Sequence, residues 1–386
     1  MRKYPFVALG MAGMLALSAC AGEGAGSGGD DQPGESQAPE DVLVGVSMPT
    51  QTSERWIADG NAVESGLEEA GYDVDLQFAN DDIPTQSRQI DQMITSGADL
   101  LIIASIDGTA LSSQLDAAAA ADIPVISYDR LIRDSEHVDF YVTFDNYQVG
   151  VAQATSVLHG LGLVDEAGEP ADDAPEGPFN IELFAGSLDD NNAHFFWQGA
   201  MDTLESYFDD GTLEVPSGQM DIEQAAILRW SQETAQERME NLLTSAYSGG
   251  TELDAVLSPF DGISRGVITA LQNDGMGPTI EEGLPIISGQ DAEIASVHLI
   301  DQDVQYSTIF KDTRKLADQA VVTAQSYLSG EEPEANDTET YDNGVKVVPS
   351  YLLEIDTVYA DSIQELLVDS GYWTAEEVES GVSDSE

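Results

Sequence analysis

Cysteine is nearly absent: the 386 residues contain one, Cys20. That excludes an intramolecular disulfide and any zinc cage built on thiolates. Positive charge is scarce. Thirteen Lys and Arg face 72 Asp and Glu, for a formal net charge of -59. Nucleic-acid affinity comes largely from cations neutralising phosphates, so DNA and RNA are excluded as partners. A polybasic grip on anionic lipid is excluded for the same reason. The four histidines (137, 159, 194 and 298) lie far apart, none at ligand spacing, and no functional metal and no cofactor are expected. The serine-hydrolase pattern G-x-S-x-G and the zinc-protease pattern H-E-x-x-H are both missing. What remains is enough for a core. Hydrophobic residues make up 42%, and the length suits about two domains.

The first residues read as an address. Arg2 and Lys3 precede an apolar run from Phe6 to Ala16, followed by Leu17-Ser18-Ala19-Cys20. The run is too short to be a permanent membrane span. A lone cysteine after Leu-Ser-Ala resembles a bacterial lipobox. On that reading 1–19 are a signal peptide and Cys20 carries the lipid, the only membrane contact of the protein. An ordinary signal with an incidental cysteine is the competing reading. Residues 20–40 are rich in Gly, Ser, Pro and acid, and read as a flexible tether.

A strand–helix alternation follows. Residues 42–48 (VLVGVSM) form a short apolar strand, then Ser53 is placed to cap a helix running to about Ala70, stopped by Gly71. Strands are expected at 73–78, 99–104, 123–128, 138–144, 179–184, 213–218, 253–257, 285–288 and 304–309. Helices are expected at 84–96, 110–121, 147–160, 191–207, 231–246, 262–273, 293–300 and 312–329. This is an α/β pattern of parallel sheets covered by helices on both faces, and the number of strands calls for two sheets. Residues 164–178 read as an acidic surface insertion, and the tail 374–386 as acidic and frayed.

Open parallel sheets bind ligands beyond the carboxyl ends of their strands. The residues there are unusually apt. Acceptors are Asp129, Asp145, Asp261 and Asp291; donors are Arg55, Arg130, Asn191, Asn192 and Lys311; rings are Trp56, Phe196 and Phe260. A monosaccharide offers hydroxyls that both donate and accept, and C–H faces that suit an aromatic ring. Lys311 is one of four lysines, so its place at a strand end carries weight. Structural ion pairing of Asp129 and Arg130, and a core role for Trp56, are the competing readings.

The segments SERWIADGN (53–61), IASIDGT (103–109), YDRLI (128–132), FDNYQVG (144–150), DDNNAHFFW (189–197), SPFDG (258–262), SGQDAE (288–293) and YSTIFKDTR (306–314) resemble the type I periplasmic sugar-binding proteins of ABC importers. Within that family the likeness is to multiple-sugar receptors and, more distantly, to xylose-binding proteins. It implies two doubly wound parallel-sheet lobes joined by three crossovers. Residues 41–144 plus 312–335 would build the amino-terminal lobe, and 145–311 plus 345–373 the carboxyl-terminal lobe. Carried over by position, Arg55, Trp56, Asp129 and Arg130 line one side of a sugar cleft. Asn191, Asn192, Asp261, Asp291 and Lys311 line the other, with Asp145 or Asn146 near the hinge. Phe260 departs from the xylose proteins, which have Asn there, so pentose and hexose both stay open. The implied partners are a monosaccharide, an ABC permease and its ATPase, and the implied state is a monomer.

Three other readings compete. A sugar receptor serving a membrane sensor kinase would need the same pocket. A glycoside-acting enzyme could use paired acids such as Asp189-Asp190, but no carboxylate is distinguished as an acid in an apolar pocket. A sugar-responsive transcription factor would need a basic helix-turn-helix before the first strand, where this chain has a signal and an acidic tether.

Overall fold

The computed structural model describes residues 42–383. The expected signal segment, Cys20, the tether to residue 40 and the last three residues of the tail lie outside the described residues. In chain order the strands are β1 (Leu43–Met48), β2 (Asp73–Phe78), β3 (Leu100–Ile103), β4 (Val125–Tyr128), β5 (Phe140–Phe144), β6 (Phe179–Leu183), β7 (Leu213–Glu214), β8 (Ala255–Leu257), β9 (Ile286–Ile287), β10 (Thr308–Phe310), β11 (Ser350–Leu353) and β12 (Asp356–Val358).

Six of them form one parallel sheet in the order β11-β5-β4-β3-β1-β2. Their composition explains the choice. Every residue of β3, β4 and β5 is buried, so these strands need cover on both faces, which parallel crossovers supply. One face packs on the helices Glu54–Glu69 and Thr313–Ser329 through Val63, Leu67, Leu316 and Ala320. The other packs on helices Ile83–Thr95 and Ser112–Ala120 through Ile90, Met93 and Leu115. A second parallel sheet has the order β7-β6-β8-β9, and β10 pairs antiparallel with β12. Helices Asn146–Gly160 and Asn191–Asp209 cover one face of the second sheet, and Gln232–Ala246 and Asp261–Asp274 the other.

The two helices on the first of those faces touch backbone to backbone. A Cβ at Gly150 would stand 2.0 Å from the Phe196 carbonyl oxygen, and one at Gly199 would stand 2.1 Å from that of Tyr147. Only glycine allows this approach. The chain passes between the sheets three times: after β5, after β10, and between β11 and β12.

The structure departs from expectation in several places. The strand expected at 213–218 is only Leu213–Glu214, and the one at 304–309 begins at Thr308. Residues 345–373, expected together in the second lobe, are divided: β11 joins the first sheet beside β5, and β12 lies against β10. The tail is not frayed through its length. Thr374 caps a helix over Ala375–Ser380, its hydroxyl accepting from the Glu377 N–H while the Glu377 carboxylate accepts in return, and Val378 is buried. Ser53 precedes its helix as expected, but its side chain makes no cap.

Candidate functional site

The carboxyl ends of both sheets open on one cavity of about 440 Å³. Nine expected residues line it: Arg55, Trp56, Asp129, Arg130, Asn192, Phe196, Phe260, Asp291 and Lys311. They come from both sheets' strand tips and from the first turns of the helices that follow.

Arg55 organises the charges. Its Nε donates to Asp59, one helical turn on, at 2.8 Å. A terminal nitrogen donates to Asp129 at 2.5 Å, and the other lies 3.6 Å from Asp291. Lys311, 2% exposed, places Nζ 3.0 Å from Asp291 and 3.9 Å from Asp129. Two buried cations are thus bridged by two buried carboxylates. Burial opposes the charge on Arg55, but Asp129, Asp59 and Asp291 outweigh it and hold its pKa well above the usual range. Burial likewise pushes Asp129 upward, yet Arg55 and Lys311 prevail and keep it below the usual carboxylate value. Asp59 is dominated by burial and is pushed up to about 6; it accepts a short hydrogen bond from the Tyr128 hydroxyl.

The acids are presented by unusual backbone. Asp129 has φ 57° and Asp291 φ 89°, in the left-handed region that aspartate tolerates better than most residues. Asp129 is tied down on every side. Its N–H donates to the Val142 carbonyl at 2.8 Å; its own carbonyl accepts from Tyr141, Thr143 and Asn192 at 2.5, 3.0 and 2.8 Å.

Aromatic rings supply the apolar walls. Trp56 carries two guanidinium groups over its ring, Arg55 at 4.5 Å and Arg130 at 5.0 Å from the ring centre. On the second lobe Phe196, Trp230 and Phe260 meet edge to face at 6.3 and 6.1 Å. Several polar contacts join the lobes around the cavity. Arg130 lies 3.0 Å from Asp190. The Ser53 hydroxyl, free of capping, donates to Glu293 at 2.9 Å, and Glu293 holds Arg265 at 2.6 Å. On the rim the Gly108 N–H donates to the Asp189 carbonyl at 3.0 Å.

Four expected residues are not in the lining. Asp145 caps the Asn146–Gly160 helix by accepting from the Gln148 N–H, and borders a separate hollow beside Leu353 and Ile355. Asn146 is buried behind the wall, where its amide donates toward Tyr141, Thr143, Asn192 and Tyr341. Asn191 is the first residue of its helix and only half-buried; Asp190 before it and Asn192 after it turn inward instead. Asp261 lies outside the cavity wall. It accepts from the N–H groups of Gln290 and Glu293 and from the Gln305 amide, and burial with the nearby Glu293 charge pushes it up to about 8.

The lining also contains residues that sequence reasoning left out: Asp190, Arg229, Trp230, Arg265, Gln290 and Glu293. Asp190, Gln290 and Glu293 sit inside segments already singled out. Trp230 follows an irregular stretch with no strand before it, so a search of strand ends passes it by. Among the described residues no group of three or more His, Cys, Asp or Glu is placed to hold a metal ion, and no helix is long and apolar enough to cross a membrane.

A protein family described as periplasmic binding protein domain matches residues 44–332. The chain is 52% identical over 341 residues to the multiple sugar-binding periplasmic receptor ChvE of Rhizobium radiobacter, covering 88% of this chain and 93% of that protein. It is 34% identical to the D-xylose-binding periplasmic protein of Escherichia coli K12, covering 86% and 91%. Among solved structures, an ABC transporter solute binding protein from Clostridium phytofermentans with bound β-D-glucose superposes with a TM-score of 0.81 at 46% identity, covering 87% of this chain and 99% of that one. A carbohydrate transporter solute binding protein from Chloroflexus aurantiacus in complex with D-glucose gives 0.76 at 33%, covering 87% and 98%.

Proposed function

Because the chain belongs to the periplasmic binding protein domain family, we propose that it is an extracytoplasmic receptor that captures a monosaccharide between its lobes and delivers it to an ABC permease. One observation carries the reading: Arg55, Asp129, Asp291 and Lys311 form a closed lattice of buried charge on the wall of a cavity lined from both sheets. Its volume lies at the small end of ligand pockets, about 300–1,000 Å³.

The lattice suits a polyol. Each carboxylate is held by cations yet keeps lone pairs for a hydroxyl donor, and Arg55 and Lys311 keep N–H groups for a hydroxyl acceptor. The sugar's hydroxyls lie in this plane of charge, and a C–H face rests on Trp56 or on the rings opposite. Because the groups are fixed by one another before the ligand arrives, little ordering is left for binding to impose. The sugar touches both lobes and therefore favours the closed arrangement over an open one. Asp129, held ionised by Arg55 and Lys311, serves a sugar hydroxyl as an acceptor and not as a proton donor.

The glucose-bound relatives make D-glucose the first ligand to try. Anchoring through an acylated Cys20 and the tether up to residue 40 would keep the receptor on the extracytoplasmic face of the cell membrane, near its permease. Isothermal titration with glucose, galactose, xylose and arabinose tests the reading. Binding of at least one, near micromolar or about −8 kcal/mol, is expected; no heat with any of the four overturns it.

A further inference from the structure

The turn that presents Asp291 is strained. Asp291 and the next residue, Ala292, have φ of 89° and 47°, conformations that cost a non-glycine residue about 1–3 kcal/mol each. Such a turn keeps its shape only where its surroundings dictate it. Its three N–H groups are all engaged. Asp291 donates to the Ile309 carbonyl at 2.9 Å, Ala292 to the Thr308 hydroxyl at 3.1 Å, and Glu293 to the Asp261 carboxylate at 2.9 Å. The Ala292 carbonyl accepts from the indole N–H of Trp373, at 2.9 Å.

Trp373 lies 81 residues farther along the chain, in the carboxyl-terminal segment that packs on Ala292, Ile294, Val297 and Phe310. It is not part of the cavity lining. Its neighbour Tyr372 meets the Phe310 ring edge to face at 4.7 Å, and the Tyr372 hydroxyl lies 3.3 Å from that of Thr313. Phe310 immediately precedes Lys311. One segment therefore backs both members of the Asp291–Lys311 pair.

We propose that Trp373 is a positioning residue for the sugar site, acting through the Ala292 carbonyl to hold the Asp291 carboxylate against Lys311 and Arg55. The carboxyl-terminal segment is then a working part of the binding site and not a trailing cover. The indole ring alone could be replaced by another ring packed on Tyr372; the N–H is what reaches the strained turn. The inference rests on the sugar reading above.

The test is Trp373→Phe in the full chain, titrated with the four sugars beside wild type. Loss of one hydrogen bond to the turn is expected to weaken binding about five- to tenfold, with the sugar-free protein still folded and unfolding cooperatively. A merely structural bond would lower the urea midpoint and leave the affinity of the folded protein unchanged, and that result overturns the inference. Should Trp373→Phe fail to fold, 3-benzothienylalanine at position 373 keeps the shape and removes only the N–H; wild-type affinity there is equally fatal. If wild type binds none of the sugars, the functional reading fails and takes this inference with it. If wild type binds and the variant matches it, this inference fails alone.

Discussion

Replacing Asp129 by Asn keeps the side chain's shape and removes its charge. The carboxylate oxygen lost lies 2.5 Å from Arg55 and 3.9 Å from Lys311, and all three groups are buried. Breaking one partner out of a buried ion pair costs about 3–5 kcal/mol. Here Arg55 keeps Asp59 at 2.8 Å and Asp291 at 3.6 Å, and Lys311 keeps Asp291 at 3.0 Å. The remaining carboxylates limit the damage, so the expected loss of unfolding free energy is at the low end, about 3 kcal/mol. Sugar binding loses a charged acceptor as well, about 1.5–3 kcal/mol or roughly ten- to a hundredfold. Urea unfolding without sugar gives the first quantity, and titration calorimetry gives the second. The pH dependence adds a signed check. The native pKa of Asp129 is depressed, so its contribution is present above the unfolded carboxylate value and is lost as pH falls through the native one. The gap between wild type and variant should be full at pH 7 and shrink below about pH 4. A variant that loses under about 1 kcal/mol and binds sugar within about threefold would show that the lattice is decoration.

Asp59 behaves in the opposite sense. Its native pKa is raised to about 6 by burial, so the folded state holds the proton more tightly and stability falls as pH rises from about 4 to 6, by up to about 3 kcal/mol. Asp59→Asn should remove that slope, read as the wild-type-minus-variant difference in urea unfolding at stepped pH; parallel curves would contradict the assignment. Gly150→Ala would drive a Cβ to 2.0 Å from the Phe196 carbonyl, forcing two helices apart at a cost of about 1–3 kcal/mol or more. Because Phe196 lines the cavity, sugar affinity should fall with it. Gly249→Ala, where no atom lies within 4 Å of the new Cβ, is the neutral control.

The sheets were legible because β1, β3, β4 and β5 are short apolar runs between helix punctuation, which leaves few alternatives. The site was legible in outline because parallel sheets bring strand tips together whatever their sequence separation. What was not legible is direction. Asp190 is the extended residue that caps the helix and Asn192 the second residue inside it; both reach the cavity while Asn191, between them, does not, a difference that depends on the cap's backbone angles. Asp145 and Asp261 have the right chemistry at strand ends but spend it on backbone N–H groups. β11 and β12 escaped notice because they are three or four residues long and only partly buried. The helix in the tail had a readable sign, Thr374 followed three residues later by Glu377, which the surrounding acids obscured.

The edge strand β11 has a consequence for biosynthesis. The amino-terminal sheet is complete only when Ser350–Leu353 has been made, long after its neighbour β5 ends at Phe144. At about 5–20 residues per second, roughly 200 further residues take on the order of 10–40 s. Throughout that interval the nascent chain carries β5 with an unpaired edge, and Val63 and Leu67 without the Thr313–Ser329 helix that later packs over them. The first half of this polypeptide therefore cannot finish folding as it emerges, and must wait, guarded or extended, for its own far end.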